Sequence, residues 1–444
     1  MKQSGKLKLN RLGKVEPEKR EIFLYLSFFV IFLSCNLQNN KGQTDAGKET
    51  VHESSKEAVR DTNGIEDIAV FSGYEKYDNN LSTVADKIEF IQLSNEPPIN
   101  DFLIYDVQVE ENYIFLSDLY NIRQYDLQGN YIKNIGGRGM GPEEFIQLNP
   151  PLQLDRENKL IYAVDVERRR MPVYRYDGSF ACAISLEKNA KSVALIDSTT
   201  IVIRQNMSER ELPECPLIRF MNYEGEITKV YPSHLYPYSG EKINLGSMES
   251  FLWEVRGQLH YLEYGSDTVY QIVADSIIPV YRLTGKLKLK PYEFFSYEIG
   301  NRLNILAYIL RPNSAIFESD CYMIFRLGNQ RERLFMIYSK ETKSFHRTYH
   351  KDAPVFHSRF RFGGDTKMMD YFIDDTVSGL HFNPQYQSME KAIALIPATE
   401  VREKRDDILR FIASHPSDEG ARLKAIVEAM DEFDNPVVMM VTFK

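Results

Sequence analysis

The sequence has few of the residues that build disulfide frameworks and metal centres. Its 444 residues include four cysteines, eight histidines and one tryptophan. The cysteines Cys35, Cys182, Cys215 and Cys321 contain no C-x-x-C pair, which argues against both a zinc site and a disulfide framework. We therefore interpret Cys182, Cys215 and Cys321 as small buried side chains on strands, with one disulfide as the alternative in an oxidising compartment.

Basic residues are outnumbered by acidic ones. The formal net charge is −9, and residues 1–35 carry seven Lys or Arg against three Glu, so the rest has 47 basic and 60 acidic side chains. An acidic body argues against binding to nucleic acid or to an anionic membrane surface. The short basic stretches Arg168-Arg169-Arg170 and Phe360-Arg361-Phe362 do not alter this expectation, and we predict no nucleic-acid partner.

The amino terminus reads as an export signal. Its basic residues precede an apolar run of 12 residues, Ile22–Leu33, which is too short for a bilayer span of about 20 residues. The run ends in Phe32-Leu33-Ser34-Cys35, which resembles a bacterial lipobox. We predict that residues 1–35 form a signal peptide of the lipoprotein type and that Cys35 is lipidated. Plain secretion and an uncleaved anchor are the alternatives.

A polar segment follows the signal. Residues 36–66 are rich in Ser, Asn, Lys and Glu and nearly free of aromatic residues, which predicts a flexible tether. The globular body is expected over residues 67–444. Together these segments predict a protein of the cell envelope, held by lipid at the periplasmic or outer-membrane face and touching the membrane through that anchor only.

Three hairpin motifs recur along the body. Tyr125–Gly129, Tyr176–Gly178 and Tyr223–Gly225 each place an aromatic residue and an acidic residue before a glycine, and the glycines are 49 and 47 residues apart. Glycine suits such turns because it adopts positive φ without strain. A period of 40–50 residues with several strands in each unit is typical of a β-propeller. The predicted strand sets begin near residues 102, 152, 192, 251 and 315, with an inserted helix at about 290–311.

The C-terminal part predicts how the ring closes. Apolar residues at helical spacing indicate a helical segment over about 401–432, broken at Pro416, and Val437–Phe443 reads as a strand. An open sheet edge would promote aggregation, so a ring must close on itself. We predict that strands from 88–93, 368–375, 391–397 and 437–443 form a sixth blade. The expected fold is an all-β, six-bladed propeller with four-stranded antiparallel blades.

Several motifs support a family resemblance. Leu116-Ser117-Asp118 and Ala163-Val164-Asp165 lead into the hairpin motifs as in NHL-type repeats. With Gly139–Phe145, Ser266–Tyr270 and the ending Asp434-Asn435-Pro436-Val437, the pattern resembles a family of six-bladed β-propeller lipoproteins common in Bacteroidetes. The resemblance covers roughly residues 85–444. It implies architecture and location, and it implies no activity, because that family has no agreed catalytic set.

Candidate catalytic groups are weak. The glycine cluster 136–141 has neither the spacing nor the lysine of a nucleotide-binding loop, so we interpret it as a turn between blades. His346 and His350 would lie about 13 Å apart on a strand, too far for one metal ion. The acidic pairs Glu143-Glu144 and Asp374-Asp375 are interpreted as turn or rim charges rather than calcium ligands or acid–base groups. We predict no cofactor, no metal site and no catalytic residue.

One aromatic segment suggests binding. Residues 231–238 place Tyr231, Tyr236 and Tyr238 beside two prolines, and such rings stack on sugars or anchor protein interfaces. We interpret these tyrosines as a possible ligand-binding loop, with an aromatic-packed loop as the alternative. The predicted function is a binding or scaffolding module for a protein partner or an extracellular polymer. The alternative is a metal-dependent enzyme of the propeller lactonase or NHL-type lyase kind, on fold analogy alone.

Overall fold

Short runs of β-branched and aromatic residues, separated by tight turns, form six antiparallel sheets arranged as the blades of a β-propeller. The computed structural model describes residues 64–70, 75–77, 79–187, 190–205, 218–231, 251–263, 266–285, 304–305, 316–328, 332–350, 355–357 and 365–444. The four strands of each blade are numbered outward from the centre of the ring. This architecture confirms the predicted fold class.

The first three blades follow each other directly along the chain. Blade 1 consists of Asp106–Val109, Tyr113–Ser117, Ile122–Asp126 and Tyr131–Asn134; blade 2 of Leu148–Asp155, Leu160–Asp165, Arg170–Arg175 and Phe180–Ser185; and blade 3 of Ala190–Leu195, Ile201–Gln205, Ile218–Met221 and Ile227–Tyr231.

The other three blades complete the ring. Blade 4 consists of Phe251–Val255, Gln258–Leu262, Thr268–Val273 and Ser276–Leu283; blade 5 of Ile316–Glu318, Tyr322–Gly328, Glu332–Ser339 and Phe345–Thr348; and blade 6 of Tyr386–Ser388, Lys391–Ile396, Val437–Phe443 and Ala85–Gln92.

The hydrophobic core is divided among the blades. Side chains alternate between the two faces of a strand, so each blade packs one set of apolar residues against each neighbour. In blade 1, Val107 and Ile114 pack against blade 6, whereas Phe115 and Ile122 pack against blade 2. Six apolar clusters of this kind fill the six junctions between blades. The alternation of apolar residues along each strand therefore supplies the side chains that pack neighbouring blades together.

Blade 6 closes the ring with strands from both ends of the body. Ala85–Gln92 pairs antiparallel with Val437–Phe443, from Ala85 opposite Phe443 to Gln92 opposite Val437. This confirms the predicted closure, but one predicted strand is wrong. Residues 368–375 are not part of blade 6, and its first strand is Tyr386–Ser388. Asp365–Met369 instead pairs in parallel with the third strand of blade 5, and Phe372–Ile373 pairs with His381–Phe382. Between these two short strands, Asp374 accepts the N–H groups of residues 376–378 and reverses the chain.

Before it enters blade 6, the N-terminal segment of the body pairs with the outermost strands of blades 4 and 5. Glu66–Ile68 pairs in parallel with the fourth strand of blade 4, and Glu75–Tyr77 pairs in parallel with the fourth strand of blade 5. A bidentate ion pair between Asp67 and Arg282, at 2.7 and 2.9 Å, fixes the first of these strands. The outer edges of both blades are therefore covered by the chain's own N-terminal segment, which protects them from pairing with other chains.

Three helices lie between the second and third strands of blade 6. Helices α1 (Ala398–Glu403), α2 (Arg405–Ser414) and α3 (Asp418–Ala429) confirm the predicted helical segment. Pro416 separates α2 from α3, and Ser417 caps α3 by accepting the N–H of Gly420. Among the described residues, no helix has the length and apolar character that a membrane span needs.

Two other predictions concern regions that are described only in part. The predicted insertion at about 290–311 lies outside the described residues except for Asn304–Ile305, which forms a short strand paired with Leu327 and Gly328. Residues 1–63, which include Cys35 and nearly all of the predicted tether, also lie outside them.

The repeated hairpin glycines join neighbouring blades. Gly129, Gly178 and Gly225 have φ of 84°, 88° and 89°, which confirms the predicted turn conformation. Strand twist brings the end of each fourth strand beside the hairpin of the next blade. Gly129 thus lies against Gln92 of blade 6, Gly178 near Asn134 of blade 1, and Gly225 near Ser185 of blade 2. The period seen in the sequence therefore marks a repeated contact between blades.

Candidate functional site

The two ends of the ring differ in the chain that they carry. Because neighbouring strands are antiparallel, the hairpins after first strands lie at one end, and the segments that enter first strands lie at the other. We call these ends the hairpin face and the connection face. Hairpins after first strands are short, as in residues 256–257 and 389–390. Several described segments of the connection face are longer, namely 93–105, 135–147, 365–385 and 397–436.

One carboxylate of the inner wall is buried between blades 1 and 2. Asp106 begins the first strand of blade 1 and is only 4% exposed. It accepts hydrogen bonds from Gln108 Nε2 at 3.0 and 3.1 Å and from the N–H of Leu152 at 2.9 Å. Leu152 lies where the strand register of blade 2 shifts between Asn149 and Gln153. Burial raises the pKa of Asp106 to about 7, against the opposing effect of these hydrogen bonds.

We expect Asp106→Asn to change how stability depends on pH. A carboxyl whose pKa is raised on folding stabilises the folded state at low pH, and this contribution is lost as pH rises toward 7. Between pH 5 and pH 7 the wild type should lose on the order of 2 kcal/mol relative to Asp106→Asn. Urea unfolding at the two pH values measures this difference, and a difference that stays constant with pH would contradict the assignment.

A second buried carboxylate joins blades 4 and 5. Glu318 is 1% exposed, and its Oε2 accepts from Trp253 Nε1 at 2.7 Å and lies 2.9 Å from His260 Nδ1. Its Oε1 accepts from Lys340 Nζ at 2.7 Å. Burial alone would raise the pKa of Glu318, but the hydrogen bond from His260 and the charges of His260 and Lys340 outweigh it and lower the pKa. These contacts occupy both carboxylate oxygens, so the group serves to join two blades.

The histidines form no metal site among the described residues. No three His, Cys, Asp or Glu side chains of that part of the chain lie close enough to share a metal ion. His381 instead stacks on Tyr371 at a centroid distance of 4.3 Å, and His350 contacts the same ring at 6.1 Å. Burial and the nearby charge of Lys404 lower the pKa of His381.

The acidic pairs Glu143-Glu144 and Asp374-Asp375 and the glycine cluster 136–141 lie in turns and connections, as predicted. Asp375 accepts from the N–H and hydroxyl of Ser82 at 2.9 and 2.6 Å, and Glu144 accepts from the N–H of Gly141 at 2.6 Å. Residues 136–141 lie in the connection from blade 1 to blade 2. Arg168 donates to the carbonyl oxygen of Gly141 at 2.6 Å. These groups hold the connection in place.

Tyr231 lies at a contact between blades. It ends the fourth strand of blade 3, packs edge-on against Phe220 and donates to the carbonyl oxygen of Asp275 in blade 4 at 3.3 Å. Tyr236 and Tyr238 lie outside the described residues, so the role of these three tyrosines in ligand binding stays a prediction.

The interpretation of the cysteines needs a correction. Cys182 is exposed on the fourth strand of blade 2 rather than buried, because its side of this edge strand faces solvent. Cys321 is half-buried, and both are free thiols. Cys215 lies outside the described residues.

Exposed apolar residues on the connection face were not predicted from the sequence. Phe433 is 88% exposed and Phe102 is 70% exposed, and Leu103 beside Phe102 is also exposed. The signal was present in the sequence, because Phe433 stands alone among acidic residues in Asp431-Glu432-Phe433-Asp434. An apolar residue in such a turn has no helical or strand periodicity to place it in the core.

Comparisons with known proteins agree with the fold. A family model described as "Domain of unknown function (DUF4934)" matches residues 67–442. No curated protein matches the sequence significantly. A "putative exported protein" from Bacteroides fragilis superposes with a TM-score of 0.57 and 14% identity, over 84% of this chain and 99% of that one.

Two further structures show weaker similarity. A member of the duf4221 family from Bacteroides vulgatus has a TM-score of 0.42 and 12% identity, over 81% of this chain and 97% of that one. Virginiamycin B lyase from Staphylococcus aureus has a TM-score of 0.35 and 11% identity, over 61% of this chain and 76% of that one. Both scores are too low to support an argument about function.

Proposed function

The chain belongs to the DUF4934 family, and on that premise we propose that it is a binding or scaffolding module of the cell envelope. In this proposal the connection face binds a protein partner or an extracellular polymer. The protein is held at the envelope by a lipid on Cys35, through the polar segment 36–66.

The observation that carries the proposal is the difference between the two faces. Long segments and all three described α-helices lie on the connection face, whereas the described residues of the hairpin face form short turns. Binding residues are often found on loops carried by a rigid scaffold, because the sequence of a loop can change without disturbing the core. The exposed apolar residues Phe102, Phe433 and Met140 also lie in connection-face segments.

Two observations support the envelope location. The N-terminal sequence has the basic region, apolar run and cysteine of a lipoprotein signal. The structurally similar Bacteroides fragilis protein carries the description "exported".

No observation favours the enzyme alternative. Asp106 and Glu318 are buried carboxylates on the first strands of blades 1 and 5. Their oxygens already accept hydrogen bonds from other residues, including residues of the neighbouring blade. The described residues offer no cluster of metal-binding side chains. A binding role requires neither a free buried carboxylate nor a metal site.

Photo-cross-linking in the producing bacterium tests the proposal with two matched methionines. Met140 is 74% exposed on the connection face, and Met389 is 49% exposed on the hairpin face. We expect a benzophenone amino acid at position 140 to give a discrete cross-linked species and the same residue at 389 to give none. Equal cross-linking at both positions, or none at 140, would contradict binding through the connection face.

The same experiment tests the anchor. Cys35→Ala should move the protein from the membrane fraction to the soluble fraction and reduce cross-linking at Met140 if the partner is envelope-bound. A Cys35→Ala protein that stays in the membrane fraction would show that the lipid anchor is wrong.

A further inference from the structure

Two loops of the connection face are joined into one rigid unit by a buried asparagine. Asn435 is buried, and its Oδ1 accepts the N–H of Ile99 at 2.7 Å. Its Nδ2 donates to the carbonyl oxygens of Ser94 and Pro97 at 2.6 and 2.9 Å. Every polar atom of this side chain is therefore used to hold residues 94–99 against residues 431–436.

Backbone and neighbouring groups extend the same network. The N–H of Asn435 donates to Asn95 Oδ1 at 2.9 Å, and Asn95 Nδ2 donates to Asp434 Oδ1 at 2.6 Å. The carbonyl oxygen of Asn435 accepts from Gln92 Nε2 at 2.8 Å. These contacts join residues 94–99 to residues 431–436. We call these two segments, together with the exposed residues Phe102 and Leu103 that follow the first of them, the Phe433 platform. The Asp434-Asn435-Pro436 motif, noted from the sequence, is the part that holds it together.

The platform presents large apolar side chains to solvent. Phe102, Leu103 and Phe433 are all exposed, although a folded chain gains stability by burying such residues. Exposed apolar residues that are held rigidly cost little conformational entropy when a partner covers them. Aromatic anchors of this kind supply much of the affinity of protein interfaces.

The charged residues of the two segments are all acidic, and one of them is paired with an arginine of helix α1. Residues 94–103 and 431–436 contain five carboxylates and no lysine or arginine. They are Glu96, Asp101, Asp431, Glu432 and Asp434, and Arg402 pairs with Asp431 at 3.1 Å. An anionic bilayer or an acidic polymer would be repelled by this rim.

From the apolar centre and the acidic rim we propose that the Phe433 platform binds a segment of a protein partner that carries apolar residues flanked by Lys or Arg. The apolar residues of that segment cover Phe102, Leu103 and Phe433, and its basic residues face the carboxylates. This inference rests on the proposed binding function and specifies its surface and its partner class.

A random peptide library displayed on phage tests the proposal with the folded wild-type protein as target. Selected peptides are titrated by fluorescence anisotropy against the wild type, against Phe102→Ser/Phe433→Ser, and against Val273→Ser/Ile278→Ser. The last variant is a matched control, because Val273 and Ile278 are exposed apolar residues on the outer strands of blade 4. Thermal unfolding verifies that both variants fold.

We expect the selected peptides to combine apolar residues with Lys or Arg. Their dissociation constants should be at least about ten-fold weaker for Phe102→Ser/Phe433→Ser and unchanged for the control variant. Raising the salt concentration should weaken binding several-fold, because the rim contacts are screened. Acidic peptides, peptides that bind both variants equally, or a library without peptides that depend on Phe102 and Phe433 would each overturn the proposal.

The cross-linking experiment separates this proposal from the broader one. If Met140 gives its cross-linked species but the peptide result is negative, the connection face binds through another surface and only the platform is wrong. If both results are negative, the proposed binding function fails as well.

Discussion

Gly129→Ala should destabilise the protein by roughly 2–5 kcal/mol, the largest effect that we expect among the three hairpin glycines. At φ of 84° an alanine is strained, which costs about 1–2 kcal/mol. A Cβ at this position would lie 1.9 Å from the carbonyl oxygen of Gln92 and 2.8 Å from its carbonyl carbon. Main-chain atoms cannot rotate away, so the end of the blade 6 strand must shift, which costs about 1–3 kcal/mol more.

Gly178→Ala is the matched control for this prediction. Gly178 has nearly the same φ, 88°, but a Cβ there would find its nearest neighbour, Lys133 Cδ, at 3.4 Å. Only the conformational strain remains, and we expect a loss of about 1–2 kcal/mol. Urea unfolding followed by the fluorescence of Trp253 compares the two variants. Equal losses would show that Gly129 does not depend on its contact with Gln92.

Glu318→Ala should cost about 3–5 kcal/mol, because it leaves buried donors without their acceptor. Trp253 and His260 are buried, and Lys340 is mostly covered. The matched surface control is Glu390→Ala, which removes an exposed ion pair with Arg256 on the hairpin face. Exposed pairs contribute at most about 1 kcal/mol. Similar losses for the two variants would contradict the role of Glu318.

The dependence of this effect on pH has a defined direction. Because the pKa of Glu318 is lowered below its ordinary value of 4.5, its ionised form stabilises the folded protein above that pH. The contribution is lost as pH falls through the folded-state pKa. We therefore expect the stability difference between wild type and Glu318→Gln to shrink below pH 4.5. The single tryptophan, Trp253, donates to Glu318 and provides a local fluorescence signal.

The features that were predicted correctly from the sequence depend on residues that are close together in the chain. Alternating strands, the positive φ of Gly129 and the helix break at Pro416 are local properties, and each is confirmed. The pairing of Ala85–Gln92 with Val437–Phe443 followed from the need to close the ring. These two kinds of constraint account for the strands and the closure that were predicted correctly.

What the sequence did not predict depends on contacts between distant residues. Residues 368–375 have the composition of a strand, and half of them are in strands, but these strands pair with blade 5 and with His381–Phe382 rather than within blade 6. The burial of Glu318 and the exposure of Phe433 are set by other segments that pack, or do not pack, against them. The amino-acid composition of a segment does not show whether a given side chain, such as that of Glu318 or Phe433, is buried or exposed.

The closure of blade 6 also determines the order of folding. Ala85–Gln92 is synthesised early, and its partner Val437–Phe443 emerges more than 340 residues later. The ring cannot become circular until that last strand arrives, and until then Ala85–Gln92 has no strand partner on either edge among the described residues. Contacts of such long sequence separation slow folding. Formation of blade 6 is therefore expected to be a late step of folding, whatever the order in which the other blades form.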